Sequence, residues 1–325
     1  MTHSVQLLGI SNAIVDVLAH VDEAFLESVG APIGSMTLID ENQAQAIYSK
    51  MGPATEMSGG SVANTIAGVA NLGGSTAYIG KVRNDQLGEI FNHDMRSLGV
   101  DIRLEPATDG PPTARSHVLI SEGGQRTMQT YLGACLGLSL ADITESTVGA
   151  PKALLLEGYV WDIAEGPALA KKAAAIARKN GTAVALSLSD SYCVERHRES
   201  FDDFVRNDAD IVVADEEEVY ALLGTSGIEP AIKALSTLDA LFAVTRSAEG
   251  SVIVHGKKVI QQAADVVKTV VDTTGAGDAY SAGFLYGWAT DRSLEDCARY
   301  GTYCATKVIQ QLGARIEKGL LDDFS

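Results

Sequence analysis

From residue 153 onward the sequence switches repeatedly between short apolar runs and helical stretches, and few architectures can satisfy that alternation. Residues 154–156, 183–188 and 211–214 have strand character, while 167–179 and 201–207 between them read as helices. Strands separated by helices lie parallel, and the crossing helices cover both faces of one sheet. Ligands of such sheets bind in the crevice outside the carboxyl ends of the strands. A length of 325 residues, 46% hydrophobic, with 32 glycines, suits a well-buried α/β core with many turns. No internal repeat or low-complexity segment divides the chain.

The stretch Asp272-Thr273-Thr274-Gly275-Ala276-Gly277-Asp278 carries the chemistry. It lies between a β-branched run, residues 266–271, expected as a strand, and small apolar residues 279–288, expected as a buried helix. Gly275 and Gly277 lack Cβ atoms, so backbone N–H groups there can approach a ligand while the chain turns sharply. Unpaired N–H groups at the positive end of a helix dipole make an anion site. Asp278 cannot be the anion held there. It reads either as a helix-start residue or as a base beside the anion site. The second reading suits phosphoryl transfer to a hydroxyl. The N–H groups of Ala276 and Gly277 would take up charge on the transferring group, and the carboxylate would accept the proton. Two other phosphate motifs are set aside. The stretch lacks the third glycine of a dinucleotide fingerprint, and no Gly-xxxx-Gly-Lys-Ser/Thr occurs anywhere.

A formal net charge of −17 argues against nucleic acid or an anionic membrane as partner, since both need a basic surface. Cys135, Cys193, Cys297 and Cys304 form no Cys-x-x-Cys pair and fit reduced thiols. With no basic segment leading an apolar one, the expectation is a cytoplasmic protein.

The thirteen residues from Asp272 to Phe284 resemble the C-terminal signature of the PfkB, or ribokinase-like, family of carbohydrate and nucleoside kinases. Gly59-Gly60-Ser61-Val62-Ala63-Asn64, followed by Ala67, Ala70 and Leu72-Gly73-Gly74, is similar to that family's N-terminal motif. With weaker matches the likeness spans nearly the whole chain. It implies one ribokinase-like domain over 1–325, a three-layer α/β/α fold with a mainly parallel central sheet. A small β-sheet lid would come from about 14–38 and 101–131. The implied reaction is transfer of the γ-phosphoryl group of ATP, with Mg2+, to a primary hydroxyl. Within the family the pattern lies nearest the kinases that act on the 5′-hydroxyl of adenosine. A sugar kinase acting on ribose, fructose or a keto-deoxy sugar acid is the alternative. A silent nucleotide-binding regulator is a third reading, against which Asp278 and its glycines speak.

The resemblance also implies roles for single residues. Asp16, between Val15 and Val17, is either an exposed strand residue or, as in the family, a carboxylate that binds two adjacent sugar hydroxyls, with Asn12 ahead of it. Gly59, Gly60, Ser61 and Asn64 would border the ribose, and Met36, Tyr159 and Val160 are candidates for a purine slot. Arg126, beside a hairpin turn at 121–125, is either an exposed charge or the family's arginine near the transferring phosphate. Thr245, Arg246, Gly250 and Thr274 would follow the ATP phosphates and ribose, and Thr302 would lie beside its adenine. Asp215-Glu216-Glu217-Glu218 reads as a solvated helix start or as the family's Asn-x-x-Glu magnesium motif. Glu218 matches its glutamate, and Asp215 replaces its asparagine. Arg83 stands where the family usually has glycine, and a potassium dependence would involve the loop around Asp272. Monomer and homodimer both stay open.

Overall fold

The computed structural model describes residues 5–121, 125–322 and 324. Among these the strands in chain order are β1 Leu7–Ile10, β2 Ile14–His20, β3 Met36–Leu38, β4 Thr55–Gly59, β5 Thr76–Ile79, β6 Asp101–Ile102 and β7 Ala114–Ile120. They continue with β8 Arg126–Tyr131, β9 Ala153–Glu157, β10 Ala183–Ser187, β11 Ile211–Asp215, β12 Leu241–Thr245, β13 Ser251–His255 and β14 Lys258–Gln262. Nine of them form one sheet in the order β14-β13-β12-β11-β10-β9-β1-β5-β6. It is parallel from β12 to β6 and antiparallel at β13 and β14. Alternate residues of the central strands serve two cores, because successive side chains point to opposite faces. Leu8, Ile10, Leu154 and Leu156 pack with the helix Gly166–Lys179 on one side. Leu7 and Leu155 pack on the other with the helices Ser61–Asn71, Ala276–Ala289 and Leu294–Val308. The three layers expected from the alternation are therefore present.

Chain order reverses at β1, which has β5 on one side and β9 on the other. A reversal of this kind opens a crevice outside the carboxyl ends of the two central strands. Asn12 follows β1 there and Glu157 ends β9 there, and the Asn12 N–H donates to Glu157 Oε1 at 3.3 Å.

The remaining strands form a smaller sheet in the order β3-β8-β7-β2-β4. Along β2, Val15, Val17 and Ala19 are buried, while Asp16 and Leu18 alternate with them on the other, half-buried face. β4 carries no strand signal in its sequence, Thr-Glu-Met-Ser-Gly. It is a strand because β2 lies antiparallel beside it, with Asp16 opposite Met57. Asp101–Ile102 pairs with β5 in the large sheet, so within residues 101–131 the small sheet draws on β7 and β8. Residues 122–124 of the expected hairpin turn lie outside the described residues; the strands on either side pair antiparallel from Ile120 and Arg126.

The β-branched run 266–271 does not become a strand. Val266 is 99% exposed, and among the described residues no strand pairs with this segment. Strand preference is a preference for a pleated surface with neighbours, and here there are none. The four cysteines are buried and unpaired. No helix among the described residues is long and apolar enough to cross a membrane.

Candidate active site

The chain enters the helix Ala276–Ala289 through Gly275, whose φ of 74° is left-handed. A Cβ at Gly275 would stand 2.3 Å from that of Ala314, so both conformation and space demand glycine. The Ala276 N–H donates to Thr273 O at 3.2 Å, closing the turn on itself. The N–H groups of Gly277 and Asp278 have no acceptor among the described residues. The unpaired donors therefore sit one residue later than the sequence reading placed them. A Cβ at Gly277 would meet nothing within 4 Å, so this side of the helix start faces open space.

Asp278 is held from a second glycine-led helix start. Its Oδ1 accepts from Ser61 Oγ at 2.7 Å and its Oδ2 from Asn64 Nδ2 at 3.0 Å. Both donors lie in the first turn of Ser61–Asn71, which begins after Gly60 at φ 95°. Thr65 Oγ1 donates to the Asp278 carbonyl at 3.2 Å. Burial pushes the Asp278 carboxyl above the usual range, and the bonds from Asn64 and Ser61 and the Arg315 charge pull against that. Asn64 is thus a buried partner of the carboxylate, not a surface helix residue.

Asp16 lies over Gly59, where its Oδ2 would be 2.3 Å from any Cβ. Gly59 is the gap into which this carboxylate fits. Burial raises Asp16 to about 6, against the pull of Arg315 and Arg126 and with a push from Asp278. Glu157 accepts from Val62 N–H at 3.0 Å as well as from Asn12, and burial raises it to about 7. Asn12 Oδ1 is buried and has no partner. Such an orphan acceptor points to a donor supplied from outside the chain.

A cavity of about 700 Å³ opens beside Asp278, at the carboxyl ends of β11 and β12. That volume lies within the ~300–1,000 Å³ range of small-molecule sites. Ser61, Ala276 and Gly277 form one wall, Thr245 and Gly250 another, and Val266, Val270 and Ile309 supply apolar surface. The unpaired run 266–271 thus contributes to the cavity instead of to a sheet. Thr302 also lines it, with a buried hydroxyl that has no partner.

Asp215 and Glu218 line the same cavity but are bound to each other's backbone. The Glu218 N–H donates to Asp215 Oδ1 at 2.8 Å, and the Asp215 N–H donates to Glu218 Oε2 at 3.0 Å. This reciprocal capping box starts the helix Glu216–Leu223. Glu218 is buried, and that burial with Asp215 beside it raises its carboxyl to about 8. The start of this helix is therefore only partly solvated.

Other residues singled out in the sequence sit elsewhere. Arg246 is paired with Glu216 at 3.2 Å and with Glu249, so its charge is already committed. The Thr274 N–H donates to Asp272 Oδ1 at 3.1 Å. Met36 is exposed on β3, and Val160 is wholly enclosed in the core. Tyr159 is half-buried, its hydroxyl 3.5 Å from Ser189 O. Arg126 pairs with Asp272 at 2.5 Å, with both side chains nearly buried, which excludes the exposed hairpin charge. Arg83 takes part in a bridge to Ala107, and its N–H donates to Thr113 Oγ1 at 2.9 Å. The sequence reading gave no role to Glu157 or Arg315. An acid closing the apolar run Ala-Leu-Leu-Leu-Glu at a strand's carboxyl end was the available signal for Glu157. Nothing local marked Arg315.

Residues 26–318 match the profile described as pfkB family carbohydrate kinase. The structure is similar to that of adenosine kinase from Sinorhizobium meliloti, with a TM-score of 0.90, 46% identity and 98% of each chain covered. It is also similar to a probable sugar kinase from Rhizobium etli CFN 42, with a TM-score of 0.91 and 42% identity, over 99% of this chain and 98% of that one. A curated relative, 5-dehydro-2-deoxygluconokinase of Listeria monocytogenes, is 28% identical over 262 residues, 78% of this chain and 81% of its own.

Proposed function

The chain belongs to the pfkB family of carbohydrate kinases, phosphotransferases with an alcohol acceptor, and from that premise we propose that it transfers the γ-phosphoryl group of ATP to the 5′-hydroxyl of adenosine. One observation carries the reading: the Asp278 carboxylate stands beside the unpartnered N–H groups of Gly277 and Asp278, at the edge of a nucleotide-sized cavity. The acceptor oxygen forms a bond to the γ-phosphorus as the bond to the β,γ-bridging oxygen breaks, and its proton passes to Asp278. The raised proton affinity of Asp278 suits that task. The two N–H groups oppose charge on the transferring phosphoryl, and one such donor is worth roughly 10²–10³-fold in rate.

Asp16 would take two adjacent ribose hydroxyls, and Asn12 Oδ1 would accept a donor from the same ligand. Gly59 and Gly60 let the backbone come close, while Ser61 and Asn64 act through Asp278. Tyr159 and Met36 remain for the base; Val160 is enclosed in the core and drops out. Thr245, Gly250 and Thr302 would flank the ATP. Arg246 is not assigned to it, because Glu216 and Glu249 hold its charge.

Mg2+ would supply neutralisation of the phosphate charge. Glu218 and Asp215 fit it as acceptors through water, since both face the cavity and Asp215 is exposed. The Asp272 carboxylate is already taken by Arg126 and by the N–H groups of Thr274 and Gly313, so potassium is not assigned to it. The small sheet would act as a lid, with β2 and β8 bringing Asp16 and Arg126 over the acceptor and excluding water.

A sugar acceptor is the second reading, favoured by the likeness to the Rhizobium and Listeria proteins named above. One assay panel decides between them: ATP with adenosine, guanosine, inosine, ribose, fructose and 5-dehydro-2-deoxygluconate. Adenosine is expected to give the highest kcat/KM. Turnover of a sugar with none of any nucleoside would reverse the substrate assignment.

A further inference from the structure

Residues 313–315 form a strap that touches both sides of the site. The Gly313 N–H donates to Asp272 Oδ2 at 3.0 Å, and Ala314 fills the space beneath Gly275. Arg315 follows, half-buried. Its Nη2 donates to Ser58 O at 2.6 Å and to Ser58 Oγ at 2.9 Å, and its Nη1 donates to Ala63 O at 3.1 Å. Ser58 precedes Gly59, over which Asp16 lies. Ala63 lies between Ser61 and Asn64, the two residues bonded to Asp278. These acceptors and Met95 Sδ, 4.0 Å from Nη2, are all uncharged, and among the described residues no carboxylate forms a direct ion pair with Arg315. Its position is fixed by neutral groups, and its charge acts on Asp16 and Asp278 and also on Asp94, which accepts from the Ser58 N–H at 2.9 Å.

We propose that Arg315 is a positioning residue for phosphoryl transfer: pinned by Ser58 and Ala63, its guanidinium is the fixed positive charge that keeps the Asp16 and Asp278 side chains ionised and in place. The surroundings call for such a charge. The Asp278 charge pushes up the proton affinity of Asp16 on β2, Glu157 on β9 and Glu218 in the helix Glu216–Leu223. The Arg315 charge, in the strap, pulls Asp278 the other way. Asp16 feels the charges of Arg315 and Arg126, which lower its proton affinity, and of Asp278, which raises it. Arg126 is closely paired with Asp272, which leaves Arg315 as the cation that Asp16 and Asp278 share. The role rests on Asp278 being the base, as argued above, but its electrostatic content can be read without any substrate.

The test compares Arg315→Gln and Arg315→Lys with the unchanged protein. Carbon-13 NMR follows the Asp16 and Asp278 carboxyls through a pH titration of the unliganded protein, with Asp16→Asn and Asp278→Asn used for assignment. In Arg315→Gln both midpoints should rise by roughly one pH unit or more, and Arg315→Lys should restore most of that shift. The acid limb of the turnover profile, with whichever acceptor is used, should move upward with them. A folded Arg315→Gln protein with unmoved midpoints overturns the proposal. Moved midpoints with no adenosine turnover in the unchanged protein would leave it standing and remove the substrate assignment instead. Should Arg315→Gln not fold, Asp16→Asn/Arg315→Gln removes opposite charges together and should regain stability; no regain overturns the proposal as well.

Discussion

Asp278 and Glu218 stand in the first turns of two helices and line one cavity, yet they are held in opposite ways. Glu218 spends an oxygen on the backbone of Asp215, three residues away, and receives Asp215 in return. Asp278 is bonded instead by Ser61 and Asn64, 217 and 214 residues distant. Burial raises both carboxyls. The difference lies in what each carboxylate serves. Glu218 completes its own helix start and is available to a cation only in addition. The Asp278 side chain makes no hydrogen bond to its own helix start and joins two helices across the crevice, so its placement is a product of the whole fold. An acid whose donors come from another element has been positioned for something beyond its own turn.

The sharpest way to break this contrast is Asp278→Asn. Turnover should fall by about 10²–10⁴-fold with the melting temperature little changed. Near-normal turnover would make Asp278 as structural as Glu218. Next in size is the pair Gly277→Ala and Gly275→Ala. Gly277→Ala meets no protein atom within 4 Å, so the fold should hold while a methyl enters the anion site. Turnover should then drop by about 10²-fold. Gly275→Ala strikes Ala314 and forces a left-handed alanine, so it should destabilise by about 1–3 kcal/mol in a denaturant titration. Equal effects on melting from both would undo the assignment of open space beside Gly277.

Asp215→Ala tests the other helix. Loss of the cap should cost about 1 kcal/mol, and the Mg2+ concentration giving half-maximal turnover should rise. No change in the Mg2+ requirement would leave Asp215 as a cap alone. The smallest effect is on stability against pH. Asp16, Glu157 and Glu218 have folded-state values of about 6, 7 and 8, all above those of ordinary carboxyls. The folded protein therefore binds protons more tightly than the unfolded chain. The stability these groups contribute is present below the ordinary carboxyl range and is lost as pH rises through about 6 to 8. The unliganded protein should melt roughly 2–4 °C higher at about pH 5 than at about pH 8, and Glu157→Gln should narrow that gap. A flat profile would mean that these carboxyls stay hydrated.

Much of the fold was legible because it rests on local periodicity. The apolar runs at β9, β10 and β11 and the helices between them follow from patterns a few residues long. Local pattern fell short where a segment's state depends on a distant neighbour. β4 is a strand only because β2 pairs with it, and residues 266–271 are not one because nothing does. Within the site, the glycine pair at 59–60 and the turn at 275–278 were visible as motifs. Which N–H groups stay unpaired was not, because that depends on Thr273 closing the turn.

By itself the sequence determined the layered α/β architecture, the two glycine-led helix starts and the acid at position 278. Each is written in residue spacing or in the absence of a Cβ, which act locally. Tertiary structure alone decided that Ser61 and Asn64 hold that acid, and that Arg315 binds Ser58 and Ala63 beside the residues that carry Asp16 and Asp278. Those outcomes follow from burial and from distances between residues far apart in the chain, which govern charge and hydrogen bonding and leave no periodic trace in the sequence.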